Sequence, residues 1–422
     1  MANVDREVDV MILNTYTGEE FLYWKSFSLQ DSFLTPCAQF SLTAGSNISP
    51  LEIARKLPEG SPVKIYVNGN IQLTGFVDSL SLSSNRGGSE VIISGRDFLS
   101  QLVDGNIDPN FNKPKEVTIE QLVKIVLTDQ FRIDAEIDLT YSSRNIATGK
   151  TKKTTAKPTK SRTHSNDPLK STEVQGNEGA FQYLSRILAY HGYWMRASPD
   201  GGKVILAPPE YDQDFSAILW KRYAKDPQSE GNIEGSKLDL NGTSVPSDVF
   251  VRGRDSGAGK RGKVYATIHN QLSPRWKPVY VQDEMAKDQK SAETIARSFM
   301  AKQQRNYLKY SCTVKGFTNE HTKETYNVDT VVDVYDEPLG VRGLWWVETR
   351  NFTLSRSGAS TELNVIPLGT LVLDWQPDEQ ISPPLYWSEA LQTSEERKAL
   401  YKGNQLEYRN LTVFPRTNGV GQ

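Results

Sequence analysis

The side chains able to do chemistry in this chain are few and scattered. Its four histidines are His164, His191, His269 and His321. None lies in an HExxH pattern, and none has a histidine or cysteine neighbour at the spacing a metal site needs. His191 closes an apolar helical segment, where a cation complements the helix dipole, so its expected role is structural. Asp333, Asp336 and Glu337 invite comparison with the paired carboxylates of glycoside hydrolysis. They stand in DVYDEPLG, between strand-like runs and beside a Pro-Leu-Gly turn, and a solvated turn is expected. The stretch RDSGAGKRGK, residues 254–263, lacks the GK[ST] ending of a phosphate-binding loop and reads as a flexible basic loop. There is no GxSxG, no Walker A loop and no strand–GxGxxG–helix unit. The expectation is a protein that is not an enzyme and carries no metal or cofactor.

Composition narrows the class further. With 422 residues, two to four domains are expected, and 37% hydrophobic residues supply several cores. The net charge of -2 argues against general polyanion binding. Cys37 and Cys312 are the only cysteines, too few for a disulfide framework, and are expected as buried or half-buried thiols. The start, MANVDREVDVMILN, lacks the basic end and apolar middle of a signal peptide, and no window approaches the length of a membrane span. A soluble protein without membrane insertion is expected.

The elements follow from periodicity. Residues 1–100 alternate apolar and polar with β-branched and aromatic side chains, and Asn68-Gly69-Asn70 between two such runs marks a hairpin. Short, closely spaced strands of this kind suggest a barrel or sandwich. In VTIEQLVKIVLTDQF, residues 117–131, the period changes, placing Ile119, Leu122, Val123, Val126 and Leu127 on one helical face. Thr118 and Gln121 fit a capping box. A second helix is expected over 178–192, ending at Gly192, and a hairpin follows through the turn SPDGG. A third helix over 288–305 aligns Ala292, Ile295, Ala296 and Phe299. More β-structure follows to residue 372.

Two polar segments stand apart. Residues 145–175 contain almost no large apolar side chain, and Lys150 to Lys170 holds seven Lys/Arg against the single acid Asp167. Lys150, Lys152, Lys153, Lys157, Lys160 and Arg162 make this insert either a solvated loop packed on a neighbour or a basic finger for an acidic partner. After about 372 the chain turns irregular, and Trp375, Tyr386 and Trp387 suit a tail laid across a partner surface.

One hairpin occurs twice. GFVDSLSLSSNRGGSEVIISGRD, residues 75–97, resembles WVETRNFTLSRSGASTELNVIP, residues 346–367. At an offset of 270, Val77 meets Val347, Asp78 meets Glu348 and Gly88 meets Gly358. Past the turn the offset becomes 272, with Glu90 meeting Glu362 and Ile93 meeting Val365, a two-residue change of the kind a hairpin tip tolerates. Gly-Arg-Asp also recurs, at 95–97 and 253–255. A duplication implies two similar β-barrels, and three such chains in a ring would present six barrels.

The order of FVDSLSLSS, EVIISGRDFLSQLVD, YLSRILAYHGYWMRASPDGGKVILAPP, AETIARSFMAKQQRNYLKYSCTVKGFT and VVDVYDEPLGVRGLWWVETRNFTLSRSGASTELNVI resembles the baseplate hub proteins of contractile-tailed phages. The likeness is to the phage Mu type, related to phage late-control tail proteins and the T-even hub, and spans roughly residues 5 to 370. It implies an α+β, β-dominated chain with two similar tube-type β-barrel domains plus a helix-containing lateral α+β domain, in a trimeric ring. The corresponding boundaries are 1–105 for the first barrel and 106–240 for the lateral domain. Residues 241–256 with 311–372 would form the second barrel, 257–310 an insertion belonging to the lateral domain, and 373–422 a tail contacting partners. Such a homotrimer adapts the six-fold tail tube to the three-fold spike in the virion baseplate, after assembly in the host cytoplasm. Its partners would be the tail tube protein, the central spike protein, baseplate wedge proteins and the tape-measure protein, with DNA only in transit. The competing readings are the hub of a DNA-free contractile injection system, a tail-associated cell-wall hydrolase using Asp333 or Glu337, and a nucleic-acid binder acting through the basic insert.

Overall fold

Asn68 and Gly69 reverse the chain with φ of 50° and 78°, the two left-handed residues that match a tight turn to twisted strands. The hairpin expected there forms between Pro62–Val67 and Asn70–Asn85. The computed structural model describes residues 10–368 except 23, 45–48, 87, 109–116, 140–168, 170–173, 175–177, 212, 223–230, 244, 254–264, 271–275, 284, 285, 287, 288, 320 and 321.

The first hundred residues give β1 (Val10–Asn14), β2 (Glu20–Phe21), β3 (Trp24–Ser32), β4 (Gln39–Ala44), helix α1 (Pro50–Lys56), β5 (Pro62–Val67), β6 (Asn70–Asn85) and β7 (Gly88–Asp97). The middle gives α2 (Ser100–Asp104), α3 (Ile119–Ile125), β8 (Glu136–Leu139), α4 (Ala180–Tyr190), β9 (Trp194–Ala197) and β10 (Lys203–Ala207). There follow β11 (Ala217–Lys221), β12 (Ile233–Leu240), β13 (Asp248–Arg252), β14 (Tyr265–His269), β15 (Pro278–Gln282) and α5 (Gln289–Tyr307). The last are β16 (Leu308–Lys315), β17 (Val331–Asp336), β18 (Val341–Ser355) and β19 (Gly358–Pro367).

Thirteen strands join in one sheet, in the order β12-β16-β19-β18-β3-β4-β7-β6-β5-β1-β2, with β17 on β18 and β11 on β17. The sheet is open, which corrects the expectation of two closed barrels. The reason lies in β18. The edge of β18 facing away from β19 is shared: Val341–Trp346 pairs with β17, and Thr349–Leu354 pairs with β3 of the other half. The edge that would close one barrel instead bridges two β-units over a common apolar core that includes Leu29, Leu42, Ile93, Tyr310, Trp345 and Leu363.

The register shows how far the duplication extends. Phe40 pairs with Gly95 and Tyr310 with Val365; Leu42 pairs with Ile93 and Cys312 with Leu363. Each second-copy residue lies 270 positions after the first. β6–β7 is bulged between Val77 and Ser79, and β18–β19 between Val347 and Thr349, again 270 apart. Even the neighbouring turns match: Val77 exchanges backbone bonds with Gly60 and Ser61, Val347 with Asp329 and Thr330. β3 and β12 correspond too, each bulged near its start and each flanking the equivalent strand, β4 or β16. The units are thus β3-β4-β7-β6-β5 and β12-β16-β19-β18-β17. They diverge at the next strand, since β1 runs antiparallel to β5 while β11 runs parallel to β17.

Two sequence expectations change here. The tips pair Asn85 with Gly88 and Ser355 with Gly358, so the offset stays at 270 and the step to 272 does not exist. Bulge position and tip length set the register; the Glu90–Glu362 match is a likeness of residue type. The second Gly-Arg-Asp follows β13, which pairs with β14 and β15 in a sheet of its own and not with the second β-unit.

The smaller layers are built around helices. Ile119, Leu122, Val123, Val126 and Leu127 are all buried, with Tyr183, Leu184 and Leu188 of α4 in the same core. The capping box of Thr118 and Gln121 is complete, and the helix runs on through a π-helical turn, Val126–Gln130. β8, β10 and β9 complete this layer. Ala292, Ala296, Met300 and Ala301 of α5 lie against Val249, Val251, Ala266 and Ile268, small side chains that let the helix approach its sheet closely. β11 and β12, expected in the lateral domain, belong to the main sheet.

Candidate assembly interface

Every basic and aromatic partner residue expected from the sequence lies outside the described residues: Lys150, Lys152, Lys153, Lys157, Lys160, Arg162, Trp375, Tyr386 and Trp387. The described chain has its densest polar chemistry elsewhere, along the seam between the β-units.

Arg350 of β18 is 2% exposed and sits at the centre of that seam. Its Nη1 donates to Gln72 Oε1 at 2.8 Å in the first unit, and to Tyr326 O at 2.7 Å and Asn327 Oδ1 at 2.6 Å in the second. Nη2 lies 3.5 Å from Asp31 of β3, and the guanidinium stacks 4.7 Å over the Phe352 ring. Burial pulls the Arg350 pKa down, while Asp31 opposes the shift. A guanidinium suits this place because its planar fork reaches several acceptors at once.

Asp329 joins the seam to the lateral layer. It accepts from Arg196 of β9 at 2.9 Å, Glu210 N at 2.9 Å and Trp346 Nε1 at 3.0 Å. Burial raises its pKa, against the pull of Arg196. Phe33 packs between Trp346 and Trp194 at centroid distances of 4.9 and 5.9 Å, with Arg196 above its ring. Asp97, at the end of β7, accepts backbone bonds from Ala38 and Leu99. Burial pushes its pKa up to about 7 despite those bonds. Together Asp31, Cys37, Asp97, Arg196, Asn327 and Arg350 line a cleft of about 210 Å³.

These contacts hold units together, and their carboxylates are bound by guanidinium, indole or backbone donors. Asp333 and Asp336 are buried within β17, which corrects the expectation of a solvated turn for these two; the turn begins at Glu337, which is exposed with Pro338. They are buried because every residue of β17 is, and Asp336 accepts from Tyr310 Oη at 2.8 Å and from Leu339 N at 3.2 Å. His269 is bonded to Asp248 at 2.7 Å, and His191 caps α4. His164 and His321 lie outside the described residues. Cys37 is half-buried and Cys312 buried, and burial pushes the Cys37 thiol up to about 12. Among the described residues no group of His, Cys, Asp or Glu is placed to hold a metal, and no helix is long and apolar enough to cross a membrane.

Residues 11–97, from β1 to the end of β7, match the family model of the Mu phage baseplate assembly protein GpP-like, N-terminal. The chain resembles the Mu-type baseplate proteins. Its fold agrees over most of its length with a tail protein from Neisseria meningitidis MC58 (TM-score 0.70, 20% identity, 87% of this chain and 98% of that one). The 43 kDa tail protein of prophage MuSo2 from Shewanella oneidensis is similar (TM-score 0.68, 16% identity, 86% and 98%). So is prophage tail protein gp18 from Listeria monocytogenes EGD-e (TM-score 0.52, 13% identity, 84% and 94%). The comparison with curated proteins gives no match. The matched 87 residues contain the first β-unit, so the GpP-like model ends where the duplicated hairpin ends.

The seam residues Arg350, Gln72, Asp329 and Arg196 were missed in the sequence.

Proposed function

We propose that this chain is the hub subunit of a phage contractile-tail baseplate. Three copies form a ring that adapts the six-fold tail tube to the three-fold spike and leaves a central channel for the tape measure and, later, DNA. The observation that carries the reading is the duplicated five-strand unit joined edge to edge within one chain. Three chains would then supply six similar tube-type units to a six-fold partner and three identical chains to a three-fold one. The GpP-like match and the tail-protein fold support it. Tube and spike would meet the two axial faces of the ring. The layer built on α3 and α4 and the one built on α5 would face outward, toward wedge proteins. The basic insert at 145–175 and the segment 373–422 would attach to those partners, which places the chain in the virion. Class averages of the purified protein with its spike test the reading: three-fold particles with six lobes and an open centre support it, and a chain that stays monomeric beside the spike contradicts it.

A further inference from the structure

The two β-units leave unequal edges. In the second unit, the outer half of β18 is covered by β3 of the first. The equivalent half of β6, Ser79–Ser84, pairs only with β7 among the described residues, and its other edge is open. The equivalent of β3 is β12; the chain just before it and its first residues lie against β11, and among the described residues Ser236–Leu240 pair only with β16. Among the described residues each chain therefore carries one open acceptor edge, Ser79–Ser84, and one open donor segment, Ser236–Leu240, and these are the counterparts of two segments that already pair inside it.

The side chains on these edges match that relation. Leu80 and Leu82 lie opposite Ile93 and Val91, so they point to the core face of the sheet. Leu238 and Leu240 lie opposite Tyr310 and Leu308, on the core face too. Yet Leu82 is 51% exposed and Leu240 43% exposed, because the apolar layer stops at each edge. An uncovered strand with core-facing leucines is an adhesive edge unless something pairs with it.

We propose that β12 of one copy of this chain adds antiparallel to the Ser79–Ser84 edge of β6 in the next, in the register of the internal seam. Inside the chain Phe352 faces Leu29 and Arg350 faces Asp31. Carried over by the repeat, Leu82 faces Leu238, Leu80 faces Leu240, and Ser83 faces Lys237 on the solvent side. The buried Arg350–Asp31 pair thus becomes a leucine pair. The contact is head to tail, since the two edges differ, and it repeats until the ring closes. The register comes from the fold; only the number of copies rests on the hub reading above.

Cross-strand cysteines test it in the full chain. Leu82→Cys with Leu238→Cys, oxidised with diamide, should give disulfide-linked multimers on a non-reducing gel. Leu82→Cys with Leu240→Cys, two residues out of register and beyond disulfide reach, should give at least tenfold less. The solvent-side pair Ser83→Cys with Lys237→Cys gives the same readout should the leucine variants fold poorly, and the wild-type chain with Cys37 and Cys312 is the blank. Light scattering on the same samples separates the outcomes. An oligomer without in-register cross-links, or with equal cross-linking in both pairs, overturns the pairing and leaves the ring standing. A monomer without cross-links at every concentration overturns the pairing and counts against the ring as well.

Discussion

Arg350 shows what a single side chain does at the seam. Replacing it with alanine removes the Arg350 donor from Gln72 and Tyr326 O in a buried place, while Asn327, which is exposed, can turn to water. Each unmet buried acceptor costs about 1–3 kcal/mol, so Arg350→Ala should lower stability by about 2 kcal/mol or more in denaturant melts, whereas exposed Arg356→Ala should change it by less than about 0.5 kcal/mol. Asp97 gives the seam a pH dependence. Its native value of about 7 lies above the ordinary 3.8, so the neutral form is favoured in the fold. As pH rises from about 4, the unfolded chain releases this proton first, and native stability falls until about pH 7 and is constant beyond. The melting temperature of the wild type should therefore fall relative to Asp97→Asn across that window. Parallel curves for the two proteins would contradict the assignment.

At the scale of elements, the two copies solve one packing problem with different residues. Gly95 of β7 faces Phe40, while its counterpart Val365 faces Tyr310. A side chain at Gly95 would run into the Phe40 ring and the Phe76 carbonyl. Gly95→Val should cost at least the roughly 1–3 kcal/mol typical of overpacking, read as a drop in melting temperature. Pairing it with Phe40→Leu should recover only part, because the backbone carbonyl cannot move away. Such swaps explain what could be read in the sequence. The helices with apolar faces, the capping box at Thr118 and the Asn68-Gly69 turn follow from local rules, and the structure has them. The hairpin repeat was visible through Val77, Asp78 and Gly88. The matching of β3 with β12 was not, since Leu29 and Leu238 lie in unlike segments and are related only by their partners Phe40 and Tyr310. The seam was hidden for the same reason: Arg350, Gln72 and Asp31 meet across some 280 to 320 residues, and no periodicity marks that meeting.

At the scale of the whole molecule, one continuous sheet joins the two β-units through strand pairing. The seam passes through strands and is not a flexible linker, so the angle between units is fixed by pairing β18 with β3. Under the proposed hub reading, a ring of three such chains would inherit that pairing and present six similar faces. The most direct measurement is the mass and symmetry of the purified particle, with and without its spike, by light scattering and class averaging. The account predicts three chains in a closed ring with six lobes around an open centre. A chain that remains monomeric with the spike present, or a particle with only two-fold symmetry, would contradict it.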